Sequence, residues 1–127
     1  MTLKEDQNLL SNTGADIDLF KDGAATAVPT TWTTPLATLG NEATYGHFGI
    51  TSDDTDLNGG EFTSGGGRKY AGDFNTARQV FSHTAVADGT TQDIGKARVG
   101  FKIQISALQE AAKDYTNRII YVATPTF

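Results

Sequence analysis

The sequence predicts an all-β protein, a sandwich of about seven to nine short strands. Three observations carry that expectation. A strict two-residue alternation of apolar and polar side chains runs through "KARVGFKIQIS". Turn signals such as Asp22-Gly23, Gly59-Gly60 and Asp88-Gly89 punctuate the chain about every 8 to 15 residues. Helix-forming sequence is confined to one stretch near 106–113. A closed barrel is the alternative all-β arrangement.

Taken in order, "TLKEDQNLL" reads as the first strand. Were it too short for that, the sandwich would expose an unpaired edge able to accept a strand from a neighbour. "NLLSN" and "DIDLFKD" flank the turn Asn12-Thr13-Gly14, with Ile17 and Leu19 alternating against Asp16 and Asp18. "TTWTTPL" is a Thr-rich strand around Trp32, and "YGHFGIT" and "RQVFSHT" each alternate about a histidine, His47 and His83. In "KARVGFKIQIS", Ala97, Val99, Phe101, Ile103 and Ile105 share one parity, which predicts a half-buried strand with its polar parity in water. "SALQEAAKD" then predicts a short helical crossover near 106–113, capped by Ser106. "DYTNRIIYVATPTF" carries apolar side chains on both parities, which predicts a strand internal to a sheet, stopped by Pro125. No composition shift or linker divides the chain, so residues 1–127 read as one domain, long enough to hold a core without staples.

Composition narrows the function classes. The net charge is −5, and the 10 Lys and Arg are scattered, so no basic stripe exists for nucleic acid or anionic lipid. No cysteine is present, which removes thiol chemistry, zinc fingers and disulfides. The start "MTLKEDQNLL" lacks the basic and apolar regions of a signal peptide, and no apolar run is long enough for a membrane helix.

The most chemically suggestive stretch is "TSDDTDLNGGEFTSGGGRKYAG". Asp54, Asp56, Asn58 and Gly59 occupy positions 1, 3, 5 and 6 of a calcium loop, where alternate oxygens on a tight turn suit a hard cation. Position 12 is Gly65 and not a bidentate Glu, and no long helices flank the loop, so an EF-hand is excluded. Two readings remain. One is a looser calcium turn using Asp54, Asp56, Asn58 and Glu61. The other is a solvated acidic connector built from Asx-turns. "GGGRK" lacks the Gly-Lys-Ser/Thr ending of a phosphate loop. His47 and His83 sit in no catalytic motif and read as partly buried structural residues. Trp32, Tyr45, Phe48, Tyr70, Phe74 and Phe81 could compose a sugar-binding face, although a lone Trp in a small sandwich belongs to the core.

The C-terminal third, "ARVGFKIQISALQEAAKDYTNRIIYVATPTF", resembles the closing strand pair of immunoglobulin-like β-sandwich domains in bacterial and archaeal surface proteins. The points of likeness are the "ALQEA" turn, the "DYT" step and the last strand "YVATPTF". The sequence departs from that pattern at Ala112-Lys113, where the family has a glycine. "LLSNTGADIDLFKDGAAT" is similar to an early strand–turn–strand of the same domains. The resemblance implies a Greek-key immunoglobulin-like sandwich and a structural, non-enzymatic role. The expected function is a subunit of an extracellular or cell-surface assembly (a surface layer, filament or matrix) that forms homo-oligomers or polymers through sheet edges and faces. A phage virion protein, as capsid decoration or tail component, is the alternative, and a glycan-binding module the third reading.

Overall fold

The structure, a computed structural model, describes residues 1–111 and 114–125. It is all-β. Ten strands occur in chain order: β1 (Thr2–Glu5), β2 (Leu9–Ser11), β3 (Asp16–Leu19), β4 (Thr30–Thr31), β5 (Gly46–Ser52), β6 (Lys69–Tyr70), β7 (Arg78–Gln79), β8 (Val99–Ile105), β9 (Tyr115–Thr116) and β10 (Ile119–Val122). The only helical elements among the described residues are two 3-10 turns, Glu42–Thr44 and Leu57–Gly59.

The strands form three sheets, with orders β10-β1-β7, β8-β5-β3-β2-β9 and β4-β6. Asn12-Thr13-Gly14 makes the expected hairpin: Leu9 faces Ile17, and Gly14 takes a φ of 91° that an L side chain resists. β3 and β5 pair in parallel, Asp18 with His47 and Leu19 with Phe48. A parallel neighbour needs a long crossover. The connection between them carries β4 and Trp32 over the far side of the sheet.

The core lies between the two larger sheets. Leu3 of β1, Ile17 and Leu19 of β3, and Phe48 and Ile50 of β5 meet Phe74 and Val80, all nearly inaccessible to water. Every residue of β5 is buried. It is the strand with neighbours on both sides and cover on both faces, and Gly49 allows the cover. A Cβ there would sit 2.9 Å from both Ala71 O and Phe20 Cβ. A smaller cluster, Leu57, Phe62 and Ala71, closes the region beneath the acidic loop.

Several expectations need correction. "TLKEDQNLL" is not one strand: it divides into β1, central in its sheet between β10 and β7, and the start of β2 in the five-stranded sheet, and β1 leaves no unpaired edge for a neighbour's strand. "DYTNRIIYVATPTF" is not one internal strand. It breaks at Asn117-Arg118 into β9, an edge of the five-stranded sheet, and β10, an edge of the three-stranded sheet. Apolar residues on both parities reflect a chain that changes sheets. The helical crossover near 106–113 is absent over 106–111, where Ser106 O accepts from the Gln109 N–H in a turn. Two turns of helix-forming sequence are too short to hold a helix without burial. Ala112 and Lys113 lie outside the described residues. The pair Lys69–Tyr70 forms β6, which no periodicity announced.

Candidate functional site: an uncovered apolar seam

β8 departs most from its sequence pattern, and the departure creates the candidate site. Its register pairs Phe48 with Ile103 and Ile50 with Phe101. Paired residues leave a sheet on the same face. Phe101, Ile103 and Ile105 therefore continue the apolar face of β5 one strand outward. Yet Phe48 is 2% exposed and Ile50 0%, whereas Phe101, Ile103 and Ile105 are 43%, 53% and 55% exposed. In the three-stranded sheet β10 is an edge strand, and the exposure of β8 shows that no layer among the described residues covers its apolar parity. On that sheet Tyr121 leaves on the same side as its register partner Leu3, but remains 47% exposed.

The polar parity of β8, expected in water, meets the aromatic cluster while staying partly exposed. Trp32 Nε1 donates to Gln104 Oε1 at 2.7 Å. Lys102 Nζ lies 4.8 Å from the centre of the Trp32 ring and 5.4 Å from that of Tyr70. Alternation located the two faces correctly, but neither is fully covered: Lys102 stays exposed on one, and only Val99 packs against the core on the other. An apolar parity is covered only if another layer extends that far.

Two open grooves follow the seam. One of about 450 Å³ is lined by Phe101 and Ile103 on one flank and by Tyr115, Asn117 and Ile119 on the other. The second, of about 780 Å³, lies between Lys96–Ala97 and Ala123–Pro125, with Phe81 and His83 in its wall. Residues just before β8 thus share a groove with residues after β10, and mid-β8 residues share one with the start of β10 and the residues before it. The two edges run antiparallel across the gap.

Glu5 is buried beneath the first groove. Its Oε2 accepts from Asn117 Nδ2 at 2.6 Å, while Glu5 Oε1 and Asn117 Oδ1 are buried without a partner. Burial raises the Glu5 pKa to about 7; the Asn117 hydrogen bond opposes the rise and the nearby Asp6 charge adds to it. Asp18 is raised as well, by burial first and then by Asp16, against its bond from Asn8.

The acidic loop is organised by hydrogen bonds. Asp54 is fully buried. Its Oδ1 accepts from the N–H groups of Asp56 and Leu57, and its Oδ2 from Ser82 at 2.9 Å. Glu61 pairs with Arg78 at 3.3 Å, and Arg78 also binds Asp73. Asp56 and Asn58 are exposed, with Asn58, Gly59 and Gly60 all at positive φ. Of the four candidate calcium ligands, Asp54 and Glu61 are thus engaged with different partners, while Asp56 and Asn58 are exposed. Among the described residues no group of three or more His, Cys, Asp or Glu could hold a metal ion. Asp54 does form the expected Asx-type turn, but inside the protein and not in solvent. The loop is tied to the segment before β8, with Asp53 accepting from the Arg98 N–H and Asp93 from Thr55. These bonds lower the Asp93 pKa, the Thr55 hydroxyl first, and a similar set from Thr91 and Thr90 lowers Asp88 to about 2.

His47 is wholly buried, its Nδ1 3.2 Å from Asp22 Oδ1 and its Nε2 3.0 Å from Thr33 O. His83 is half-buried in the second groove, its Nε2 without a hydrogen-bond partner. Trp32 stacks on Phe20 at 4.7 Å and meets His47 and Tyr70 edge-on. With Lys102 over the ring as well, the indole is half-buried in a cluster and not laid out as a sugar platform. Phe48 and Phe74 are core.

The class these features define is an all-β chain with an uncovered apolar sheet edge. No protein-family model, no curated protein and no solved structure matches the chain. No helix among the described residues is long and apolar enough to cross a membrane.

Proposed function

We propose that this chain is a non-enzymatic structural subunit that self-associates through sheet edges. The observation that carries the reading is the row Phe101, Ile103 and Ile105, apolar and about half exposed on the seven-residue edge strand β8. Contiguous apolar surface at an unpaired edge marks a place where another chain binds. Asp54, His47 and Arg78 are engaged by hydrogen bonds to other segments of the chain, which tie its loops together as a scaffold requires. An immunoglobulin-like sandwich in a surface layer, filament or matrix is the form of assembly we favour. The extracellular setting rests on the resemblance of the closing segment.

Sedimentation and electron microscopy of the purified chain, from micromolar to millimolar concentration, test the proposal. Concentration-dependent growth into dimers and larger regular particles is the expected result. A chain that stays monomeric throughout would overturn it.

A further inference from the structure

We infer that β8 pairs antiparallel with β8 of a second copy about a two-fold axis at Ile103, which makes the dimer the repeating unit. The inference rests on the self-association proposed above and specifies its interface.

Hydrogen bonding fixes what the edge offers. Just beyond β8, Ser106 N–H donates to Tyr45 O and Arg98 O accepts from Asp53 N–H. Extended through the ladder, these bonds turn the main-chain groups of residues 98, 100, 102, 104 and 106 toward β5. Those of Val99, Phe101, Ile103 and Ile105 face outward. Among the described residues β8 has β5 as its only strand neighbour. The usual protections of an edge are few. Val99–Ile105 contains no proline, and its one lysine, although exposed, lies over Trp32 and Tyr70 on the face opposite Phe101, Ile103 and Ile105.

The strand complements itself. A two-fold at Ile103 pairs Ile103 with Ile103, Phe101 with Ile105 and Lys102 with Gln104. Every apolar residue then lies beside an apolar residue on the same face, and outward N–H groups meet outward carbonyls. A two-fold at Lys102 would set like charges opposite each other, which disfavours that register. Closed two-fold pairing is also the commonest form of self-association.

The apolar area approaches what a stable pair needs. Phe101, Ile103, Ile105 and Tyr121 leave roughly 350 Å² of apolar surface exposed on one side, taking about 150–200 Å² for each whole side chain. A stable interface buries about 800 Å² per partner, somewhat over half of it apolar. The edges β8 and β10 flank the same gap, so the axis that joins β8 to its copy also brings the two β10 edges together and covers Tyr121.

Because the chain has no cysteine, single thiols give a direct test. With a short bis-maleimide linker, Ile103→Cys is expected to yield covalent dimers where Leu39→Cys, on an exposed loop, yields none. Ile103→Lys should weaken the dimer at least about 30-fold, since the substitution enters the interface twice. Ile103 is half exposed, so the variant should fold, and its circular dichroism should match the wild type. If the wild type associates but Ile103→Lys associates equally well, or if the two thiol variants crosslink alike, the β8 interface is wrong while the subunit reading stands. A monomeric wild type overturns both.

Discussion

Replacing Glu5 with Gln should remove a pH dependence that the wild-type fold carries. The Glu5 carboxyl has its pKa raised from 4.5 to about 7 by burial. The folded protein therefore holds a proton that the unfolded chain releases at lower pH. The contribution is fully present below pH 4.5 and is lost as pH rises to about 7, so stability falls through that window. A gap of about 2.5 pH units corresponds to about 3 kcal/mol. Geometry gives the loss a molecular form. Asn117 already donates to Glu5 Oε2, and its own Oδ1 lacks a donor, as Glu5 Oε1 lacks a partner. A proton on Oε1 supplies the missing donor, and the amide of Gln supplies it at every pH. Urea denaturation from pH 4.5 to 8 is the assay. Glu5→Gln should match the wild type near pH 4.5 and exceed it by about 2–3 kcal/mol at pH 8. Asp18, also raised by burial, adds a dependence of the same sign to both proteins. Parallel pH profiles for the two proteins would refute the reasoning.

Other outcomes follow from the loops and the aromatic cluster. Asp54→Ala leaves three N–H groups without their acceptor and should cost about 3 kcal/mol in urea denaturation; a loss under about 1 kcal/mol would show that water replaces the carboxylate. Calcium added to the chelator-treated wild type should leave the melting temperature unchanged, since Asp54 and Glu61 are already engaged; a rise would show that the loop rearranges around the ion. Trp32→Phe removes the donor to Gln104 and should cost about 1–2 kcal/mol by the same assay, with no loss if packing on Phe20 alone holds β8. At Gly72 a Cβ would lie 1.7 Å from Phe20 O, so Gly72→Ala should abolish soluble expression or cost well over 3 kcal/mol; a near-native melting curve would contradict the packing.

How far the sequence could be read depended on whether the signal was local. The hairpin at Asn12–Gly14, the long strand β5 and the long strand β8 follow from turn chemistry and period-two alternation, both properties of neighbouring residues. Which face of β8 is covered depends on where the opposite sheet stops, and nothing near Phe101 encodes that. The break at Asn117-Arg118 is similarly remote: Asn117 leaves the ladder to bond Glu5, 112 residues away. Asp54 looked like a solvated acid or a metal ligand because acids usually are. Its burial is set by Ser82, whose N–H arrives from a distant segment. The groove at the seam has no sequence signature of its own. The available hint was an apolar parity on β8 with too few partners elsewhere in the chain to cover it.

The central position of β1 has a consequence for biogenesis. Its register partners run from Ile119 to Val122, so Glu5 waits for a residue 114 places later and Thr2 for one 120 places later. During synthesis the five-stranded sheet can form β2–β3 and then β5–β8 as their residues emerge, while β1 has only the short β7 to hold it. Leu3 becomes fully enclosed only when β10 arrives. Pairings this distant in sequence slow folding. Until β10 docks, an emerging chain presents the unfinished faces of both sheets, and a chaperone or a neighbouring nascent chain can reach them.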